Sequence, residues 1–157
     1  MIDWPELLRW LHVIGATVLL GTGAGIAFFM LMAHRTGNAA IIAHVAGTVV
    51  IADAIFTATA VVVQPITGIL LANLVGWPLS TPWIAASLTL YVLAGLCWLP
   101  VVRIQISMRN LARAAVEQGV PLDNQYRRLF ARWVMLGITA FASVLAILWL
   151  MVARPIL

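Results

Sequence analysis

Very few side chains in this sequence can support chemistry. Asp53 is the single charged residue in the stretch 36–102. An ionisable group inside an apolar helix is costly unless it faces protein or water, so it marks a functional position by default. Thr57, Gln64 and Gly68 follow Asp53 at +4, +11 and +15, and at 3.6 residues per turn they share its face. Two chemistries fit that face. Asp53 could relay protons or cations, or it could be a neutral group hydrogen-bonded to Thr57 or Thr22 that joins two helices. The run Gly21-Thr-Gly-Ala-Gly25 lies at similar depth in the first helix and would permit close approach of that helix to Asp53.

The histidines suggest a second chemistry. A histidine projecting into a small four-helix bundle is the usual way to hold haem iron. His12 is the candidate ligand for a haem b. Gln64, at the same depth, would accept from its second ring nitrogen, and Tyr91 on the third helix falls at that level. No other histidine shares this depth, so the iron would be five-coordinate, take Met151, or be completed by a partner chain. His34 and His44 bracket a short loop; they form a candidate inner pair of ligands or are simply interfacial. The dispersed methionines form no Met-x-x-Met cluster and read as apolar filler, not as soft copper ligands.

The elements that must position these groups follow from composition. Of 157 residues, 64% are apolar and 9% charged, and mean hydropathy is +1.06. A soluble domain carries about a quarter charged residues, so this chain lacks the polar surface to cover a water-facing core. One cysteine, Cys97, excludes an internal disulfide or a Cys-rich metal site. A spanning helix needs ~20 apolar residues, and lipid requires every backbone group to be paired. The spacing predicts an all-α, polytopic membrane protein: a single four-helix transmembrane bundle over 1–157. Its helices fall at about 5–33, 40–72, 82–118 (membrane part to about 104) and 124–153. Thr81-Pro82 reads as a cap and first-turn pair for the third helix, which would extend into the cytoplasm past a kink at Pro100 to Gly119. Asp123 reads as the cap of the fourth helix.

All nine basic residues are arginines. Arg35, Arg103, Arg109, Arg113, Arg127, Arg128 and Arg132 lie at one end of the spans, and only Arg9 and Arg154 at the other. This bias places both termini outside and the basic loops in the cytoplasm. Trp4, Trp10, Trp77, Trp83 and Trp149 fall at the outer interface as an aromatic belt. The leading segment reads as the first helix and not as a cleavable signal peptide, because it carries Asp3 and Glu6 and its apolar run is longer than the ~7–15 residues of such a signal.

Several runs carry a family resemblance: Trp10-Leu-His12-Val-Ile-Gly-Ala with Gly21–Gly25, Ala52-Asp53-Ala-Ile-Phe56-Thr57, Gln64-Pro65-Ile-Thr-Gly68, Trp98-Leu-Pro100 with Gln105 and Met108-Arg109, and Leu150-Met-Val-Ala-Arg-Pro155. Over nearly its whole length the chain resembles a bacterial family of predicted integral membrane proteins, domain of unknown function 2269. More distantly it is similar to HemJ-type protoporphyrinogen oxidases and CopD-type membrane proteins. The HemJ likeness implies a haem b ligand at His12, but that type also requires a third-helix lysine, and this chain has no lysine.

The expectation is therefore a small multi-pass protein of the bacterial inner membrane that binds haem b and exchanges electrons with quinone or a partner membrane subunit. The alternatives are proton- or cation-coupled transport through the Asp53 face, and an accessory or assembly subunit of a larger complex. Partners are the lipid bilayer and a further copy of the chain, not nucleic acid. No HExxH, phosphate loop or nucleophile–base pattern supports a hydrolase or kinase.

Overall fold

The computed structural model describes residues 3–155, and among these it is helical throughout, without a strand. Four helices are each long and apolar enough to cross a membrane: α1 (Trp4–Arg35), α2 (Ala39–Val75), α3 (Pro82–Gln118) and α4 (Asn124–Ala153). At ~1.5 Å per residue they measure about 45–55 Å, more than the ~30 Å hydrocarbon layer. Each therefore carries an extra turn or more beyond the lipid. α1 and α2 overrun the expected 5–33 and 40–72 by one to three residues at each end.

The helix ends follow local chemistry. Asn38 caps α2, accepting from Ala40 N at 2.9 Å and Ile41 N at 3.3 Å. Asp123 caps α4 as expected, accepting from Tyr126 N at 2.9 Å. Gly119 closes α3 at φ +65°, a left-handed backbone that only glycine adopts freely, with Val120 N donating to Ala115 O at 3.0 Å. Thr81 corrects the expected cap. It holds the right position, but its hydroxyl donates to Pro78 O at 2.6 Å instead of to the helix it precedes.

Inside α2 the α-helical ladder is interrupted by one π-helical turn, Asp53–Thr57, where Ala58 N reaches back to Asp53 O. π turns are uncommon and concentrate at functional sites. Across this turn α2 changes neighbours: its first half packs on α3 and α1, its second half mainly on α1. α3 and α4 form the other tight pair.

The apolar core sits at the arginine-rich end. There Met30, Ile42, Met108 and Ala112 are fully enclosed, with Tyr126 and Trp133 beside them. The opposite end is rich in tryptophan: Trp77 meets Trp83 edge-on with 5.8 Å between ring centroids, and the Arg154 guanidinium lies 5.9 Å over the Trp83 ring. Around the outside, Phe28, Phe29, Ile51, Val62, Leu96, Met135 and Ile138 are exposed. A continuous apolar surface of this kind is stable only against lipid or protein.

Candidate functional site

Buried polar side chains line the interior beside this apolar core. Asp53, at the head of the π turn, is 4% exposed. The indole Nε1 of Trp98 on α3 donates to both its carboxylate oxygens, at 3.2 Å each. One further partner comes from the same helix. The Gln105 amide satisfies both its ends with nitrogen toward Asp53 and oxygen toward α4: Nε2 donates to Asp53 Oδ2 at 3.3 Å, and Oε1 accepts from Trp133 Nε1 at 3.2 Å. Every hydrogen bond Asp53 accepts, among the described residues, thus comes from an uncharged N–H. The Thr57 hydroxyl is buried close to the carboxylate but outside hydrogen-bond geometry, and is left without a partner.

These contacts revise the expected neighbours of Asp53. Thr57 adjoins it as expected, but the hydrogen bonds in place come from Trp98 and Gln105, Thr22 supplies none, and the glycine strip is not what receives it. A Cβ on Gly21 or Gly25 would meet nothing within 4 Å, and one on Gly23 would meet only Phe141 of α4, at 3.8 Å. Thr22 instead borders a surface groove of about 440 Å³ between α1 and α2, together with His44, Phe29 and Phe56.

Nearer the tryptophan-rich end, α1 and α2 interlock through two glycines. Gly15 leaves room for the Gln64 side chain, whose Nε2 would lie 3.2 Å from an added Cβ; Gly68 leaves room for the His12 ring, whose Cε1 would lie 3.1 Å from one. Gln64 Nε2 donates to the main-chain carbonyl of His12 at 3.0 Å, so Gln64 holds the helix backbone and not the imidazole. The ring partner is Thr67, which the sequence did not single out: its hydroxyl lies 2.9 Å from His12 Nδ1. That hydroxyl also reaches Val63 O at 2.9 Å, and a proton donated there leaves its oxygen to accept from His12 Nδ1–H. Gln64 Oε1 is buried without a partner.

Tyr91 also has a structural bond. Pro65 lacks an N–H, so the carbonyl four residues earlier, Val61 O, loses its helix partner; the Tyr91 hydroxyl on α3 donates to it. His34 and His44 have different surroundings. His34 stacks on Phe130 of α4 with 3.7 Å between ring centroids and has its Nδ1 3.3 Å from the Tyr126 hydroxyl, whereas His44 is exposed at the groove. Among the described residues no group of three His, Cys, Asp or Glu is placed to hold a metal ion.

An apolar exterior, four spanning helices and inward-turned polar groups define a polytopic helical integral membrane protein. The chain belongs to the family of predicted integral membrane proteins DUF2269, whose model matches residues 6–155. No curated protein and no solved structure matches it.

Proposed function

We propose that this protein couples transport across the membrane to a proton or cation, with Asp53 as the working group. The observation that carries the reading is the Asp53 site itself: a deeply buried carboxylate whose hydrogen bonds all come from neutral N–H groups. Burying a charge without a counter-charge is costly, and a site that meets this cost with neutral donors leaves the carboxylate free to take up a positive ion.

The surroundings give that ion a direction. Thr57, Gln64 and Thr67 continue the buried face of α2 from Asp53 toward the tryptophan-rich end, where His12 joins Thr67. The unpartnered Thr57 Oγ1 and Gln64 Oε1 are positions at which water would find a polar contact. Toward the other end Met30, Ile42, Met108 and Ala112 close the interior. Asp53 therefore loads from the tryptophan-rich side, and release to the other side requires the helices to part at the arginine-rich end. The π turn, where the ladder of α2 is already interrupted, is the natural joint. In the orientation that the positive-inside rule favours, with the arginine-rich closed end facing the cytoplasm, loading occurs from outside.

Proteoliposomes carrying an internal pH dye test this reading. Asp53→Asn should abolish ion-coupled flux while leaving expression and elution profile intact; undiminished flux in that variant would remove the proposal.

A second reading, haem b at His12, draws on one observation. Thr67 fixes Nδ1, as a metal-bound imidazole requires of its other nitrogen, and Nε2 has no hydrogen-bond partner among the described residues. The other two expected contacts fit less well, because Gln64 and Tyr91 are committed to main-chain carbonyls. A Soret band lost in His12→Ala would support haem, and a colourless preparation from haem-replete cells would end that reading.

A further inference from the structure

Resting on the reading of Asp53 as the working group, we propose that Trp133, acting through Gln105, makes this site selective for protons over sodium and potassium. The basis is hydrogen-bond polarity. An indole has one N–H and no acceptor, so Trp133 Nε1 must face an oxygen, and it faces Gln105 Oε1 at 3.2 Å. With its oxygen so engaged, the amide can turn only its NH₂ toward Asp53, where Nε2 lies 3.3 Å from Oδ2. Trp98, equally unable to accept, covers both carboxylate oxygens at 3.2 Å. The carboxylate is thus met by the positive ends of N–H dipoles from two side chains of α3.

A metal cation leaving water needs a set of oxygens to replace its hydration shell. Among the described residues, the side-chain oxygens at this site are the two of Asp53 and the nearby Thr57 hydroxyl. The amide that could supply another presents nitrogen instead. A proton needs one lone pair. It passes from water on the tryptophan-rich side to a carboxylate oxygen, forming one O–H bond and a neutral carboxyl group. It leaves when that bond breaks, with no electron transferred and no other reactant consumed. Trp133 touches neither the carboxylate nor the ion, so it is a positioning residue. Trp133→Phe keeps a ring beside Phe130, now 5.8 Å away between centroids, but removes the N–H that fixes the amide. Gln105 can then turn its oxygen to Asp53 and complete a metal-ion site.

The test is flux in proteoliposomes under an imposed pH gradient, with choline, sodium or potassium as the added cation. The wild type should give the same Asp53-dependent proton flux in all three media, unchanged when sodium or potassium is raised a hundredfold. Trp133→Phe should become sensitive, with flux falling several-fold as either metal ion competes. Should that variant fail to reconstitute, Trp133→Leu makes the same prediction, since it likewise lacks the N–H that holds the Gln105 oxygen. Wild-type flux that requires sodium or potassium, or is suppressed by them, would overturn proton selectivity. Indifference of a folded Trp133→Phe to both ions would overturn the role of Trp133. Flux that is absent, or unaltered by Asp53→Asn, would sink the reading of Asp53 itself, a separate outcome.

Discussion

Tyr91→Phe should weaken the bundle by an amount that depends on Pro65. The proline withholds the N–H that Val61 O would receive, and the Tyr91 hydroxyl supplies the missing donor from α3. Removing one partner of a buried hydrogen bond costs about 1–3 kcal/mol in soluble proteins. Between membrane helices the measured mean is only ~0.6 kcal/mol, with a maximum of ~1.7. Val61 is half-buried, and the unfolded chain in lipid finds other partners, so the membrane range governs and the expected cost is about 1 kcal/mol. At ~1.4 kcal/mol per factor of ten, that is roughly a five-fold change in the unfolding equilibrium. In a Pro65→Ala background the restored N–H can take the Val61 carbonyl, and Tyr91→Phe should then cost almost nothing. Unfolding by dodecyl sulfate in mixed micelles, followed by far-ultraviolet circular dichroism, gives all four corners of the cycle. Equal costs of Tyr91→Phe in the two backgrounds would refute the claim that the hydroxyl replaces the proline's missing donor.

The same assay tests the other contacts. Gly68→Val drives carbon into the space taken by His12 Cε1, 3.1 Å from the Cβ position, and should destabilise by about 1–3 kcal/mol. Gly21→Ala meets nothing within 4 Å and should be neutral or stabilising by up to ~1 kcal/mol; if the two glycines respond alike, the interlock of α1 and α2 is misread. Gly119→Ala should cost about 1 kcal/mol, since its φ of +65° disfavours any Cβ; an unchanged midpoint would count against the left-handed cap. Trp98→Phe removes the donor shared by both Asp53 oxygens and, in the membrane range, should cost up to about 1.7 kcal/mol. That cost should shrink sharply in an Asp53→Leu background, and a cost independent of residue 53 would show that the indole acts only by packing.

The spans were legible because hydropathy and charge act over some twenty residues at a time, so small errors in the ends did not matter. Asp123 and Gly119 were legible as caps because their chemistry is local. Side-chain partners were not, since they depend on which helices adjoin and at what rotation. A uniform 3.6-residue register for α2 leaves out the π turn and the exchange of neighbours across it, so Asp53 was referred to the glycines of α1 when its donors lie on α3. Two signals were nevertheless present. Trp98 and Gln105 stand seven residues apart on one face of α3, in register with buried Val101 and Met108. Pro65 necessarily orphans the carbonyl of Val61, and that calls for a donor from a neighbouring helix. The sequence places His12 at the depth of Gln64, but the atom that Gln64 meets is the His12 backbone oxygen, because Gly15 leaves room for the Gln64 side chain against α1.

The central claim is that a carboxylate inside the bilayer gains and loses a positive ion. Infrared difference spectroscopy of the protein in lipid nanodiscs, titrated with acid and compared with Asp53→Asn, addresses it directly. The account predicts a carboxylic acid C=O band that appears on acidification in the wild type, shifts in deuterium oxide and is missing from the variant. Superimposable spectra of the two proteins across the whole titration would contradict it.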